Sequence, residues 1–117
     1  MTPTNRNLAS LKAFQENGLP DPQLRHHAVM RIQRALLEGF EAPTADLAAT
    51  LADIAGRDDS ERVRRTALQT LGMIFDRDSE LATPDLVAVL ADIVGRDAEW
   101  RIRWSALKTM EKALDKN

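Results

Sequence analysis

The chain's 117 residues suffice for one domain or one short repeat array with a core of its own. It contains no cysteine, which excludes disulfides, thiolate metal sites and thiol nucleophiles together. Its net charge of −2 selects no partner until the charges are placed, and no apolar run approaches the roughly 18 residues that span a bilayer, so no membrane partner is expected.

The opening residues, Met1-Thr-Pro-Thr-Asn-Arg, lead into no apolar stretch of the secretory kind, and a cytoplasmic location is the expectation. The first predicted helix carries Leu8, Leu11 and Phe14 and ends at Asn17-Gly18. A second starts with Asp21 as N-cap and Pro22 at the first helical position, where a missing N–H costs nothing, and Gly39 stops it. The third opens at Thr44, places Leu47, Leu51 and Ile54 at i, i+4 and i+7, and ends at Gly56. A longer fourth helix follows over 61–77. The fifth repeats the third with Thr83, Pro84, Leu86, Leu90, Ile93 and Gly95, and the sixth covers the C-terminal stretch. Gly56 and Gly95 read as left-handed C-caps.

Self-similarity underlies this alternation. Residues 44–76 set against 83–115, an offset of 39, are identical at 17 of 33 positions, including Leu-Ala-Asp-Ile-x-Gly-Arg-Asp at 51–58 and 90–97. Carried upstream, the offset aligns Leu24-Arg25 with Val63-Arg64 and Ile102-Arg103, and Ala28 with Ala67 and Ala106. The leading helix of the first unit aligns only after a one-residue shift. The expected fold class is therefore all-α: a short α-solenoid of three two-helix repeats, six helices with a 39-residue period. The units lie near 1–39, 43–78 and 82–117 and form a single domain over 1–117.

Stacking follows from the width of the apolar arc. With Arg62 at 0° and about 100° per residue, Val63, Ala67, Leu71 and Ile74 fall between about 100° and 180°, and Leu68 and Phe75 near 220–240°. A lone helix pair cannot bury so wide an arc, whereas neighbouring pairs can. Arg64 lies near 200°, inside the arc, where an unpaired guanidinium is costly and an adjacent acid is required.

The Asp-x5-Arg spacing, Asp58 to Arg64 and Asp97 to Arg103 with an aliphatic residue before each arginine, resembles the HEAT-repeat signature over nearly the whole chain. That resemblance implies a hydrogen-bonded ladder of these Asp and Arg side chains between successive turns, and a concave wall lined by the second helix of each unit. Leu19 stands where the first unit's Asp belongs, so the ladder is not expected to reach that end, and the first unit reads as a capping repeat.

Reactive constellations are not found. His26 and His27 point about 100° apart on a helix and have no His or carboxylate at i±3 or i±4, so no helical metal motif exists. Asp53 and Asp92 each precede an arginine by four residues (Arg57, Arg96), the spacing of surface ion pairs rather than of paired catalytic carboxylates. Ser10, Ser60, Ser79 and Ser105 have no His at a suggestive spacing, and no glycine run forms a phosphate-cradling loop. No catalytic residue, metal or cofactor is expected.

A binding face is legible instead. Outward positions of the second helices form rows that include His26/Arg65/Trp104 and Gln23/Arg62/Arg101. Residues 23–38, 61–77 and 100–116 carry +3 and −1, +4 and −2, and +5 and −2, so +7 in all against −9 elsewhere. Helix axes about 8–10 Å apart lie within about one Debye length, so neighbouring charges reinforce one another. Arg25, Arg64 and Arg103 belong to the interior, which leaves Arg62, Arg65, Gln69, Arg101, Trp104, Lys108, His26 and Arg34 as candidate partner-binding residues. Trp104 suits an anchor, because exposed indoles are enriched in binding hot spots. Trp100 replaces Glu61 of the preceding unit and is expected to seal the terminal turn.

Two function classes fit. One is a non-enzymatic protein–protein interaction module (an adaptor, inhibitor or immunity-type protein) that offers its concave wall to an acidic partner. The other is nucleic-acid backbone binding through the same face, against which the net acidic charge counts. Oligomeric state is not encoded in any of these features.

Overall fold

Side-chain caps start four of the five α-helices in the computed structural model, which describes Lys12 and residues 21–115. The described elements are α1 (Pro22–Glu38), α2 (Ala45–Arg57), α3 (Glu61–Arg77), a 3-10 turn (Ser79–Leu81), α4 (Pro84–Arg96) and α5 (Trp100–Leu114), with no strand among the described residues. The predicted leading helix with Leu8, Leu11 and Phe14, and Leu19 after it, lies outside them.

Asp21, Thr44, Ser60 and Thr83 accept hydrogen bonds from Gln23, Leu47, Val63 and Leu86 N–H groups and so satisfy otherwise orphaned donors. Pro22 and Pro84 begin their helices as expected. Gly39 adopts φ 82° and lets the Phe40 N–H reach the Ala35 carbonyl at 2.9 Å, a Schellman-type stop. Gly56 and Gly95 do not: they are ordinary helical residues, and each helix runs one residue further to Arg57 or Arg96. The expected left-handed caps are replaced by Asp58 and Asp97 in extended conformation, at ψ 139° and 138°. Each aspartate then turns its Oδ1 to the N–H two residues on, of Ser60 or Glu99, at 2.9 Å. These acids therefore end one helix and lead into the next.

Layering follows from α3, which packs against α1, α2 and α5, while α4 packs against α2 and α5. Val63, Ala67, Leu68, Leu71 and Ile74 are fully buried, so the wide apolar arc of this helix is consumed by neighbours on several sides. Each leucine or isoleucine buried in this way stabilises the stack by about 1.5–3 kcal/mol. Thr66 and Thr70 are buried beside the arc and return their hydroxyls to the Arg62 and Thr66 carbonyls. Gln33 donates to Thr70 at 3.2 Å, and Thr109 to the Leu68 carbonyl at 3.2 Å, so polar bonds as well as apolar contacts cross between pairs.

The arginine ladder is present and runs forward. Arg25 donates through Nε and Nη2 to Asp58 at 2.8 and 3.1 Å, and Arg64 repeats the fork on Asp97 at 2.9 and 3.2 Å. The acid comes from the following pair, so the Arg25 fork is filled by Asp58 and the expected interruption at that end is corrected. The bond to Asp58 is the main reason the Arg25 guanidinium is held above its ordinary pKa.

Candidate functional site

The outward side of α1, α3 and α5 is where the interior arc leaves room for long polar side chains. On α3, Val63 and Ala67 commit one side to the core, which turns Arg62, Arg65 and Gln69 to solvent. On α1 the same geometry brings His26 to the edge of this surface. His26, Arg62, Arg65 and Gln69 line one groove of about 460 Å³ between the two helices, together with Ser60, Glu61 and Thr66. The groove is wide open and polar, suited to a surface loop or helix face rather than to an enclosed small molecule.

Partial burial is the largest influence on His26 and pushes its pKa below 6.5, with Arg62 and then His27 adding to the effect. Arg62, Arg65 and Arg101 form no ion pair among the described residues. Three exposed guanidinium groups thus stand without a carboxylate beside them. By contrast, Asp53 and Asp92 on the first helices meet Arg57 and Arg96 at 3.1 and 2.9 Å, the expected surface pairs.

On α5, Trp104 is 53% exposed and Lys108 Nζ sits 4.6 Å from its ring centroid. Trp100 is 61% exposed with the Arg101 guanidinium 5.3 Å from its ring, so it does not seal the terminal turn as expected. With Glu99 and Ala98 also exposed, nothing encloses an indole there, and the two tryptophans one turn apart form an open aromatic-cationic strip.

Arg34 stands apart near the end of α1, 3.7 Å from Glu38. Met73 is partly buried against the core, and Lys112 crosses Gly72 to reach Asp76 at 2.8 Å, so the outward surface beside Arg34 is broken and partly neutralised. Sequence reasoning missed Trp100 as an exposed neighbour of Arg101, and Ser60 and Thr66 as groove-lining groups. The i, i+4 spacing of Trp100 and Trp104 was the available signal for the first.

Among the described residues no three His, Cys, Asp or Glu side chains gather as a metal-binding group, and no helix is long and apolar enough to cross a membrane. Packed helix pairs joined by a buried Asp–Arg ladder define an α-solenoid repeat protein. The family model for HEAT repeats matches residues 11–111, and the chain belongs to the HEAT-repeat family. Members of this family commonly mediate protein–protein interactions and are typically non-catalytic scaffolds. Comparison with curated proteins and with solved structures gives no significant match.

Proposed function

We propose that this protein is a non-enzymatic protein–protein interaction module that receives an acidic protein partner on the wall formed by its second helices. The observation that carries this reading is the set of exposed arginines, Arg62, Arg65 and Arg101, that lack carboxylate partners and flank the Trp104–Lys108 strip. Arginine and tryptophan are the side chains most enriched in hot spots, and unpaired cations steer an acidic surface toward them. His26 and Gln69 line the same groove as Arg62 and Arg65, and we assign Arg34, further along α1, to the same wall. We assign the whole of 1–117 to one domain of three two-helix units, six helices in all. The regular starts of α2 and α4 (45 and 84) and of α3 and α5 (61 and 100), each 39 residues apart, support that period. A cytoplasmic adaptor, inhibitor or immunity-type role agrees with the cysteine-free composition.

The test is affinity purification with the full chain and with an Arg65→Ala/Arg101→Ala/Trp104→Ala chain. The expected result is loss of one or more specific protein partners from the triple variant. Unchanged partners would remove this face from the binding role.

The same cations and indoles also favour a nucleic-acid backbone as a second reading. Three to five phosphate contacts would give a log K against log salt slope of about −3 to −5 on duplex DNA. No binding to duplex or single-stranded DNA at low salt would eliminate it.

A further inference from the structure

A surface distinct from the concave wall lies on the side of the α4–α5 pair that faces away from α2 and α3. Among the described residues, Arg64 divides its guanidinium between two tasks. It gives Nη1 to the Asp58 carbonyl of its own turn at 2.9 Å, and gives Nε and Nη2 to Asp97 of the following pair. Arg103 performs the first task alone: Nη1 holds the Asp97 carbonyl at 2.7 Å. Its Nε–Nη2 edge meets no carboxylate among the described residues, although the side chain is partly buried.

The apolar positions around it are arranged in the same way. On α2 and α3, the helices that pack against α4 and α5, Ala48, Ala55 and Leu68 are fully buried and Phe75 is 2% exposed. Thirty-nine residues on, Val87, Val94 and Leu107 are only half-buried, and Leu114 is 62% exposed. A solenoid end that faces only water carries polar residues, because nothing covers it. Here the positions stay apolar and the fork stays in place.

We propose that this end face docks a helix pair of a separate protein, whose inter-helix turn presents an aspartate to the Nε–Nη2 edge of Arg103. Charge complementarity names the occupant. A planar guanidinium fork takes a carboxylate bidentately, and among the described residues the two carboxylates that fill such a fork, Asp58 and Asp97, come from the turn between two helices. A second copy of the chain meets the requirement badly. Its first unit has Leu19 in the sequence position of Asp58 and Asp97 and so offers no aspartate there, and paired end to end it would set two Arg103 side chains against each other.

The test places a photo-crosslinking amino acid at Leu107 in the full chain and irradiates cells that express it. The expected product is a protein whose crosslinked peptide lies in a helix pair with an aspartate in its turn. Binding of that protein should fall at least about thirtyfold with Arg103→Asp or Leu107→Lys, and return when the partner's aspartate is changed to arginine in the Arg103→Asp background. The product should persist in the Arg65→Ala/Arg101→Ala/Trp104→Ala chain, which separates this face from the concave wall. Capture of nothing, capture of only a second copy, or a product insensitive to Arg103→Asp in a variant of unchanged helicity would overturn the proposal.

Discussion

Arg64 and Asp97 are joined across two helix pairs by a two-point bond, with Nε and Nη2 at 2.9 and 3.2 Å from the carboxylate oxygens. The same guanidinium also holds the Asp58 and Asp59 carbonyls at 2.9 and 3.2 Å. One side chain therefore fixes the turn before its own helix and the turn of the next pair. Only 12% of the Arg64 side chain and 8% of the Asp97 side chain remain exposed, so solvent screens the pair weakly.

Breaking that pair from one side should be costly, because it strands a buried charge. Asp97→Ala or Arg64→Ala is expected to destabilise the fold by about 3–5 kcal/mol. Arg103→Ala should cost only about 1 kcal/mol, the net value of its single bond to the Asp97 carbonyl. Urea unfolding of the three variants measures the contrast. Equal losses for Arg64→Ala and Arg103→Ala would show that the fork, as opposed to the Nη1 bond, contributes little.

The glycines make opposite predictions that separate two kinds of helix end. Gly95 is helical, and a Cβ added there meets nothing within 4 Å, so Gly95→Ala should stabilise by about 0.5–1 kcal/mol. Gly39 holds φ 82°, where an L side chain is strained, so Gly39→Ala should destabilise by about 1–2 kcal/mol. Thermal denaturation reads both. A loss at Gly95 would restore the left-handed cap that its sequence context suggested.

α5 begins less securely than α3. Its N-cap is Glu99, which makes no side-chain capping bond, whereas Ser60 caps α3 through the Val63 N–H. Glu99→Ser is expected to add about 0.5–1 kcal/mol and to slow amide exchange in the first turn of α5. No change in exchange there would mean that the Asp97 bond to the Glu99 N–H already secures this end.

How much of this was legible in advance can be judged residue by residue. The ladder was legible because Arg64 falls inside an apolar arc, where burial demands an acid, and the spacing to the aspartates repeats. Which unit supplies that acid was not: spacing along the chain points to the unit's own aspartate, while stacking selects the next one. Gly56 and Gly95 misled because a glycine near a helix end carries the same composition signal whether it is left-handed or one residue short of the stop. The actual stops are aspartates whose extended conformation is stabilised by a bond to the N–H two residues on, a contact that depends on the path of the following helix. The outward arginines were identified by angle alone. Trp100 was misplaced because its exposure depends on whether anything stacks on α5, which no single-helix geometry contains.

His26 offers a pH readout of the proposed wall. Its folded-state pKa lies below 6.5, chiefly through burial, then through Arg62 and His27. The unfolded chain therefore binds the proton first, and the sign follows from linkage. His26 does not diminish stability above about pH 6.5, and its penalty grows as pH falls from there through the folded pKa and then levels. His26→Gln should flatten that part of the stability profile. Arg62→Gln should raise the His26 pKa without returning it to 6.5, because burial is the larger cause and remains. An acidic partner seated in the groove supplies carboxylates that favour the imidazolium, so binding should take up a proton and tighten as pH is lowered from 7.5 toward 6. Glu61 lines the same groove. Imidazole proton shifts, followed by NMR with and without partner, measure both states. A His26 that titrates at or above 6.5 in the free chain, or one indifferent to the partner, would move the contact surface away from this groove.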